Sequence, residues 1–221
     1  MPAYKLIIFD WDGTLMDSQA RIVACLRCAA EDLKLIALSD DELKHIIGLG
    51  LREAIARLYA DLDEAQITHF ADRYRYHFLT ANDTPSGLFA DVRLMLEQLR
   101  DKGFMLAIAT GKARRGLEPV LLESGLNELF HGSRCADETR SKPHPQMLEE
   151  LLDEFGVEAE DAIMVGDTEY DLLMANTLGM DTLAVSYGVH DKETILKHKP
   201  LFCVDSITEL SDCLLACALK H

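Results

Sequence analysis

Two aspartates, Asp10 and Asp12, stand one residue apart where the apolar run Leu6-Ile7-Ile8-Phe9 stops. An apolar run with β-branched residues, closed by Gly13-Thr14, reads as a buried strand and the turn that ends it. Two carboxylates at such a strand end are not both desolvated and unpaired. A buried charge needs a partner, and a like charge nearby raises the cost. A divalent cation is the simplest partner. The pair then suits a site where a metal and a carboxylate nucleophile work together.

Other strand ends carry matching chemistry. Thr110-Gly111-Lys112 follows the apolar run Phe104 to Ala109, and Gly166-Asp167-Thr168-Glu169-Tyr170-Asp171 follows Ala162 to Val165. Ser141-Lys142-Pro143 precedes a helical stretch. In open parallel sheets ligands sit beyond the carboxyl ends of the strands, so these segments meet at one edge. The set suits phosphoryl transfer. Asp10 is placed to attack phosphorus and form an aspartyl-phosphate, which splits one hard step into two. Asp12 is placed to protonate the leaving oxygen and then deprotonate water. Mg2+, a hard ion that prefers oxygen, would shield Asp10 from the substrate's charge, with Asp167 as the second carboxylate ligand. Thr110 and nearby backbone N–H groups are expected to hold phosphate oxygens, and Lys142 to neutralise the transferring group. Asp171, one helical turn after Asp167, is expected to orient Lys142 or a metal-bound water. Lys112, Arg114 and Arg115 form a basic run beside Thr110, suited to attracting an anion.

The elements that must position these groups change character along the chain. Residues 16–86 read as helical: Ala20 to Leu33, a segment opened by Asp40-Asp41-Glu42 and closed by Gly48, then Leu51 to Tyr59 and Glu64 to Leu79. Asn82 to Gly87 is a turn or linker signal. Helices and strands then alternate. Helices are expected over Asp91 to Lys102, Gly116 to Ser124, Pro145 to Phe155, Tyr170 to Leu178 and Ile207 to Leu219. Strands are expected over 104–109, 162–165, 182–185 and 202–204. Such alternation implies an α/β fold, a parallel sheet covered on both faces. The helical segment is then an insertion after the first strand.

Bulk properties exclude several classes. The 221 residues are 48% hydrophobic and 27% charged, ordinary for a globular protein. No segment approaches the roughly 18 apolar residues that span a bilayer. Met1-Pro2-Ala3-Tyr4-Lys5 runs straight into the first strand, which leaves no room for a signal peptide, so a cytoplasmic location is expected. The net charge of −16 disfavours nucleic acid as a partner and requires a locally positive pocket for an anionic substrate. The six cysteines are expected to be reduced, and Cys25-Leu26-Arg27-Cys28 lacks the second pair a zinc site needs. The eight histidines show no ligand spacing, and the residues leave the oligomeric state open.

DWDGT, T-G, S-K-P and GDTEYD, in this order and each at a suitable place, resemble the four motifs of the haloacid dehalogenase superfamily, near its phosphoglycolate-phosphatase-like branch. The resemblance covers essentially the whole chain. It implies a Rossmann-like three-layer core from residues 1–15 and 87–221, with a helical cap from residues 16–86. It also implies Mg2+ held by Asp10, Asp167 and the backbone carbonyl of Asp12. Catalytic Asp10, Asp12, Thr110 and Lys142 would act on a small phosphorylated metabolite, phosphoglycolate-like or a sugar phosphate. Many relatives carry Asn where this chain has Gly111; the backbone N–H there should still serve a phosphate. Gly48-Leu49-Gly50-Leu51-Arg52 resembles a cap loop that faces the site, which makes Arg52 a candidate substrate contact. A β-phosphoglucomutase-type phosphomutase shares this core, and a non-catalytic phospho-acceptor domain also uses a strand-end aspartate. Dehalogenases do not retain the second aspartate, present here as Asp12.

Overall fold

The computed structural model describes residues 4–217. The chain runs through β1 (Leu6–Phe9), β2 (Met16–Asp17), α1 (Gln19–Asp32), α2 (Asp40–His45), α3 (Leu51–Leu58), α4 (Glu64–Tyr76) and β3 (Gly87–Leu88). It continues with α5 (Val92–Asp101), β4 (Met105–Thr110), α6 (Arg114–Ser124), β5 (Gly132–Cys135), α7 (Gln146–Phe155) and β6 (Ala162–Gly166). Last come α8 (Glu169–Thr177), β7 (Asp181–Val185), α9 (Lys192–Leu196), β8 (Phe202–Val204) and α10 (Ile207–Ala216).

Six of these strands form one parallel sheet in the order β5-β4-β1-β6-β7-β8. Side-chain alternation in β1 sends Ile7 and Phe9 to one face and Leu6 and Ile8 to the other. Ile7 and Phe9 pack with Ile108, Val165 and the α5 residues Met95 and Leu99. Leu6 and Ile8 pack with Ala107, Met164 and the α7 residues Leu148 and Leu151. Both faces are therefore buried, which is why the strands read as continuous apolar runs. From β1 the sheet grows through β4 and β5 on one side and through β6, β7 and β8 on the other. The connections reverse direction at β1, so the crevice beyond its carboxyl end is where a ligand fits.

The chain between β2 and β3 is helical and carries its own apolar cluster, built around Leu26, Leu43, Ile55 and Phe70. Its helices begin as the sequence directs. Ser39 with Glu42, and Asp63 with Gln66, form reciprocal capping boxes at α2 and α4. Antiparallel pairing of Met16 with Leu88 and Asp17 with Gly87 ties the two ends of the insert together.

Several expectations are corrected. The helical pattern to Leu79 changes at Tyr76 into a wider π turn over His77–Ala81. The α6 helix begins at Arg114, before the expected Gly116. β2, β3, β5 and α9 are absent from the sequence reading. α10 runs to Ala216; the remainder of the expected helix to Leu219 falls partly outside the described residues. All six cysteines are free thiols. Among the described residues no helix is long and apolar enough to cross a membrane.

Candidate active site

Asp10 extends β1 by one residue, and its N–H donates to Val165 O at 2.9 Å, which fixes its backbone at the sheet edge. Its side chain is 1% exposed. Lys142 Nζ lies 2.7 Å from Asp10 Oδ1 and 2.6 Å from Asp171 Oδ1, with no side-chain exposure of its own. The ammonium donates a hydrogen bond to Asp171 and forms a close ion pair with Asp10. Asp171 is in turn held by Thr168, whose N–H and Oγ1 donate to Asp171 Oδ2 at 3.2 and 2.7 Å. The capping box of α8 thereby aims Asp171 at the lysine.

Asp167 sits at the end of β6 under two glycines. A Cβ at Gly13, where φ is +86°, would lie 2.2 Å from Asp167 Oδ2, and one at Gly188 would lie 2.2 Å from Asp167 Cβ. Only glycine admits the carboxylate at this spot. Thr14 Oγ1 and the Val189 N–H donate to its two oxygens, each at 2.8 Å. Asp12 faces another way. Ser18 Oγ donates to Asp12 Oδ1 at 2.6 Å, and Lys112 Nζ lies 3.0 Å from Asp12 Oδ2. Thr110, 1% exposed at the end of β4, accepts from the Lys112 N–H at 3.1 Å.

Electrostatics at this edge are unbalanced. Burial pushes the Asp10 carboxyl well above the usual range, against the pull of Lys142, and Asp171 and Asp167 push it further. Burial, reinforced by Asp171, pushes Asp167 up to about 7. Burial alone would strip the Lys142 ammonium of its proton, but Asp10 and Asp171 outweigh it and keep the group charged. Oxygens of Asp10, Asp167 and Asp171 all lie within 4.8 Å of one another. One lysine faces three buried carboxylates, so the cluster carries more negative than positive charge. A hard divalent cation fits this oxygen-only donor set. A second grouping, His45, Glu169 and His190, is less suited. His190 Nδ1 accepts from the Glu169 N–H at 3.2 Å, and Nε2 faces His45 O at 3.2 Å, so both ring nitrogens are occupied by backbone.

The strand-end residues of the sequence reading thus meet in one crevice, and Asp171 lies on Lys142. Arg52 does not join them: its guanidinium pairs with Glu64 and donates to Thr68 Oγ1 at 3.0 Å, on the outer side of the insert. The α3 phase turns it toward α4, which is a correction to its expected role. The loop before α3 does reach the crevice. The Gly50 N–H donates to Ser141 Oγ at 2.7 Å, and a Cβ at Gly111 would lie 2.5 Å from Gly48 O. Asp10, Asp12, Thr110, Gly111 and Lys112 form the floor of a cavity of about 100 Å³, roofed by insert residues that include Tyr74 and Phe78. Ser18, Thr14, Ser141, Tyr74 and Phe78 were not singled out from sequence. Only Ser141 and Thr14 lie inside recognisable motifs.

Residues 7–185 match the haloacid dehalogenase-like hydrolase family, and the chain belongs to it. The chain is 30% identical over 217 residues to a phosphoglycolate phosphatase of Colwellia psychrerythraea, covering 93% of this chain and 95% of that one. It is 28% identical to the pyrophosphatase PpaX of Bacillus pumilus, with 92% and 93% covered. A crystal structure of a predicted phosphoglycolate phosphatase from Haemophilus somnus superposes with a TM-score of 0.86 at 26% identity, covering 96% of this chain and 99% of that one.

Proposed function

We propose that the protein is a Mg2+-dependent phosphatase that hydrolyses a small phosphorylated metabolite through an aspartyl-phosphate on Asp10. The observation that carries this reading is the Asp10 carboxylate: buried at the sheet's switch point, 2.7 Å from the Lys142 ammonium, and clustered with the carboxylates of Asp167 and Asp171. The names of the relatives, a phosphoglycolate phosphatase and a pyrophosphatase, agree on phosphoryl transfer to water and differ in substrate.

Asp10, Asp167 and the Asp12 carbonyl would hold Mg2+, with Asp171 close by. When bound, the ion supplies positive charge between the nucleophile and the phosphoryl oxygens. Asp10 Oδ attacks phosphorus, and the bond from phosphorus to the ester oxygen breaks. Asp12, oriented by Ser18, gives its proton to the departing alcohol oxygen. Asp12 then takes a proton from water, whose oxygen attacks the phosphorus and returns Asp10 as a carboxylate. Lys142 neutralises charge on Asp10 and the transferring group, while Asp171 holds its ammonium in place. Thr110 and the Gly111 N–H receive phosphate oxygens. The insert, acting as a cap, excludes bulk water from the crevice.

The test is phosphate release from p-nitrophenyl phosphate with Mg2+, comparing the native protein with Asp10→Asn. Activity in the native protein and its loss by at least about a thousandfold in the variant are expected. An inactive native protein, or an active Asp10→Asn, would sink the reading. Release of phosphate to water, with no isomerised sugar phosphate, separates a phosphatase from a phosphomutase.

A further inference from the structure

The cavity above Asp10 has two unlike walls. The floor offers carboxylates, a hydroxyl and an ammonium for a phosphoryl group. The insert contributes Ile22, Leu26, Ile47, Leu49, Tyr74 and Phe78 to the roof. Among the insert residues that line the cavity, only Tyr74 and Arg75 carry a polar side-chain group. Arg75 Nη1 is 2.8 Å from Asp72, so its charge is already met. Lys112 belongs to the floor, 3.0 Å from Asp12 and 4.7 Å from the Phe78 ring centroid, so its charge serves the phosphoryl end of the cavity. Apart from Arg75, which is shared with Asp72, the insert offers no cation to a leaving group and almost nothing to a set of hydroxyls; the other lining cations, Lys112 and Arg115, belong to the core.

We propose that the substrate is a phosphate monoester whose leaving alcohol turns an apolar face, alkyl or aromatic, to this roof. The proposal rests on the phosphatase reading above and names the substrate class of that same site. Polar substituents on the leaving group would lose water against Ile47, Leu49 and Phe78 without regaining hydrogen bonds, whereas an apolar group gains by leaving water. Size narrows the class further. A cavity of about 100 Å³, smaller than the roughly 150 Å³ that admits benzene in an engineered core, must also seat the phosphoryl group, so the leaving group is a short chain. Arg115, an exposed residue that also lines the cavity, would help draw in a dianionic ester.

Matched pairs test this, and because the polar member of each pair has the better leaving group, faster turnover of the apolar member cannot come from intrinsic reactivity. Propyl phosphate and glycerol 3-phosphate share a carbon chain, as do ethyl phosphate and phosphoglycolate. With Mg2+ present, kcat/KM should be at least about tenfold higher for the apolar member of each pair, the scale on which a pocket discriminates such changes. Phe78→Asn and, separately, Leu49→Asn should narrow the propyl-to-glycerol ratio severalfold. Equal or faster turnover of glycerol 3-phosphate or phosphoglycolate would overturn the substrate class while leaving the phosphatase reading standing. No phosphate release from any of the four esters would overturn both.

Discussion

Lys142 holds two buried carboxylates apart from each other's charge. With its ammonium 2.7 Å from Asp10 and 2.6 Å from Asp171, its removal would leave both acids buried without a cation. Breaking a buried pair from one side costs about 3–5 kcal/mol, far more than an exposed pair. Lys142→Met should therefore lower stability by about that amount in urea unfolding and reduce kcat by at least roughly a hundredfold. A stable but inactive variant would mean that the lysine serves chemistry alone; an active one would remove it from the proposed mechanism. Ser18 acts more locally. Its hydroxyl, 2.6 Å from Asp12, fixes the carboxylate that in the proposed mechanism moves the proton. Ser18→Ala should lower kcat by roughly tenfold with little change in KM, because the orientation of the acid matters in the transition state and not in binding. A larger effect on KM than on kcat would count against that role.

The junction between core and insert depends on an absent side chain. At Gly111 a Cβ would lie 2.5 Å from Gly48 O and 2.6 Å from Leu49 O, both rigid backbone atoms. The glycine, where the resemblance leads one to expect asparagine, lets the insert loop rest directly on the end of β4. Gly111→Ala should force the loop outward at a cost of about 1–3 kcal/mol. It should raise KM more than it lowers kcat, since Gly48 and Leu49 line the cavity. Unaltered unfolding and unaltered KM would show that this contact is dispensable. The same scale explains what the sequence discloses. β1, β4, β6 and β7 are legible because their buried runs are local, and the strand-end motifs follow from them. β5 is not, because Gly132-Ser133-Arg134-Cys135 buries only its cysteine and shows no apolar period. β2 and β3 have two residues each, below any periodicity. Tyr74 and Phe78 reach the cavity only through the packing of α4 and the π turn over the core, which no short-range pattern encodes. Arg52 shows the converse: its place in the sequence points to the site, but helix phase carries its side chain to Glu64 and Thr68.

Across the whole molecule the net charge of −16 is repeated in miniature at the switch point, where burial turns it into a stability cost. Asp167 is raised from 3.8 to about 7 in the folded chain. A carboxyl with a raised folded pKa contributes fully to stability below its unfolded value. That contribution is lost as pH rises through the folded value, because the unfolded chain then releases a proton more easily. Asp10 is shifted in the same direction. The metal-free protein should therefore lose stability from this site between about pH 4 and pH 7. In the proposed mechanism Mg2+ would bind the ionised carboxylates, so protons would compete with it over the same interval. The Mg2+-induced rise in Tm should then be small near about pH 5.5 and grow toward about pH 8. At saturation about a hundredfold above Kd, linkage gives about 2.7 kcal/mol, or roughly 5–10 °C for a chain of this size. Asp167→Asn should shrink both the Mg2+ shift and its pH dependence, while raising the metal-free Tm at neutral pH, since the amide carries no desolvated charge. Scanning calorimetry across this pH range, with and without Mg2+, checks the argument. A Mg2+ shift equally large at both ends of the range, or one that survives intact in Asp167→Asn, would place the cation elsewhere.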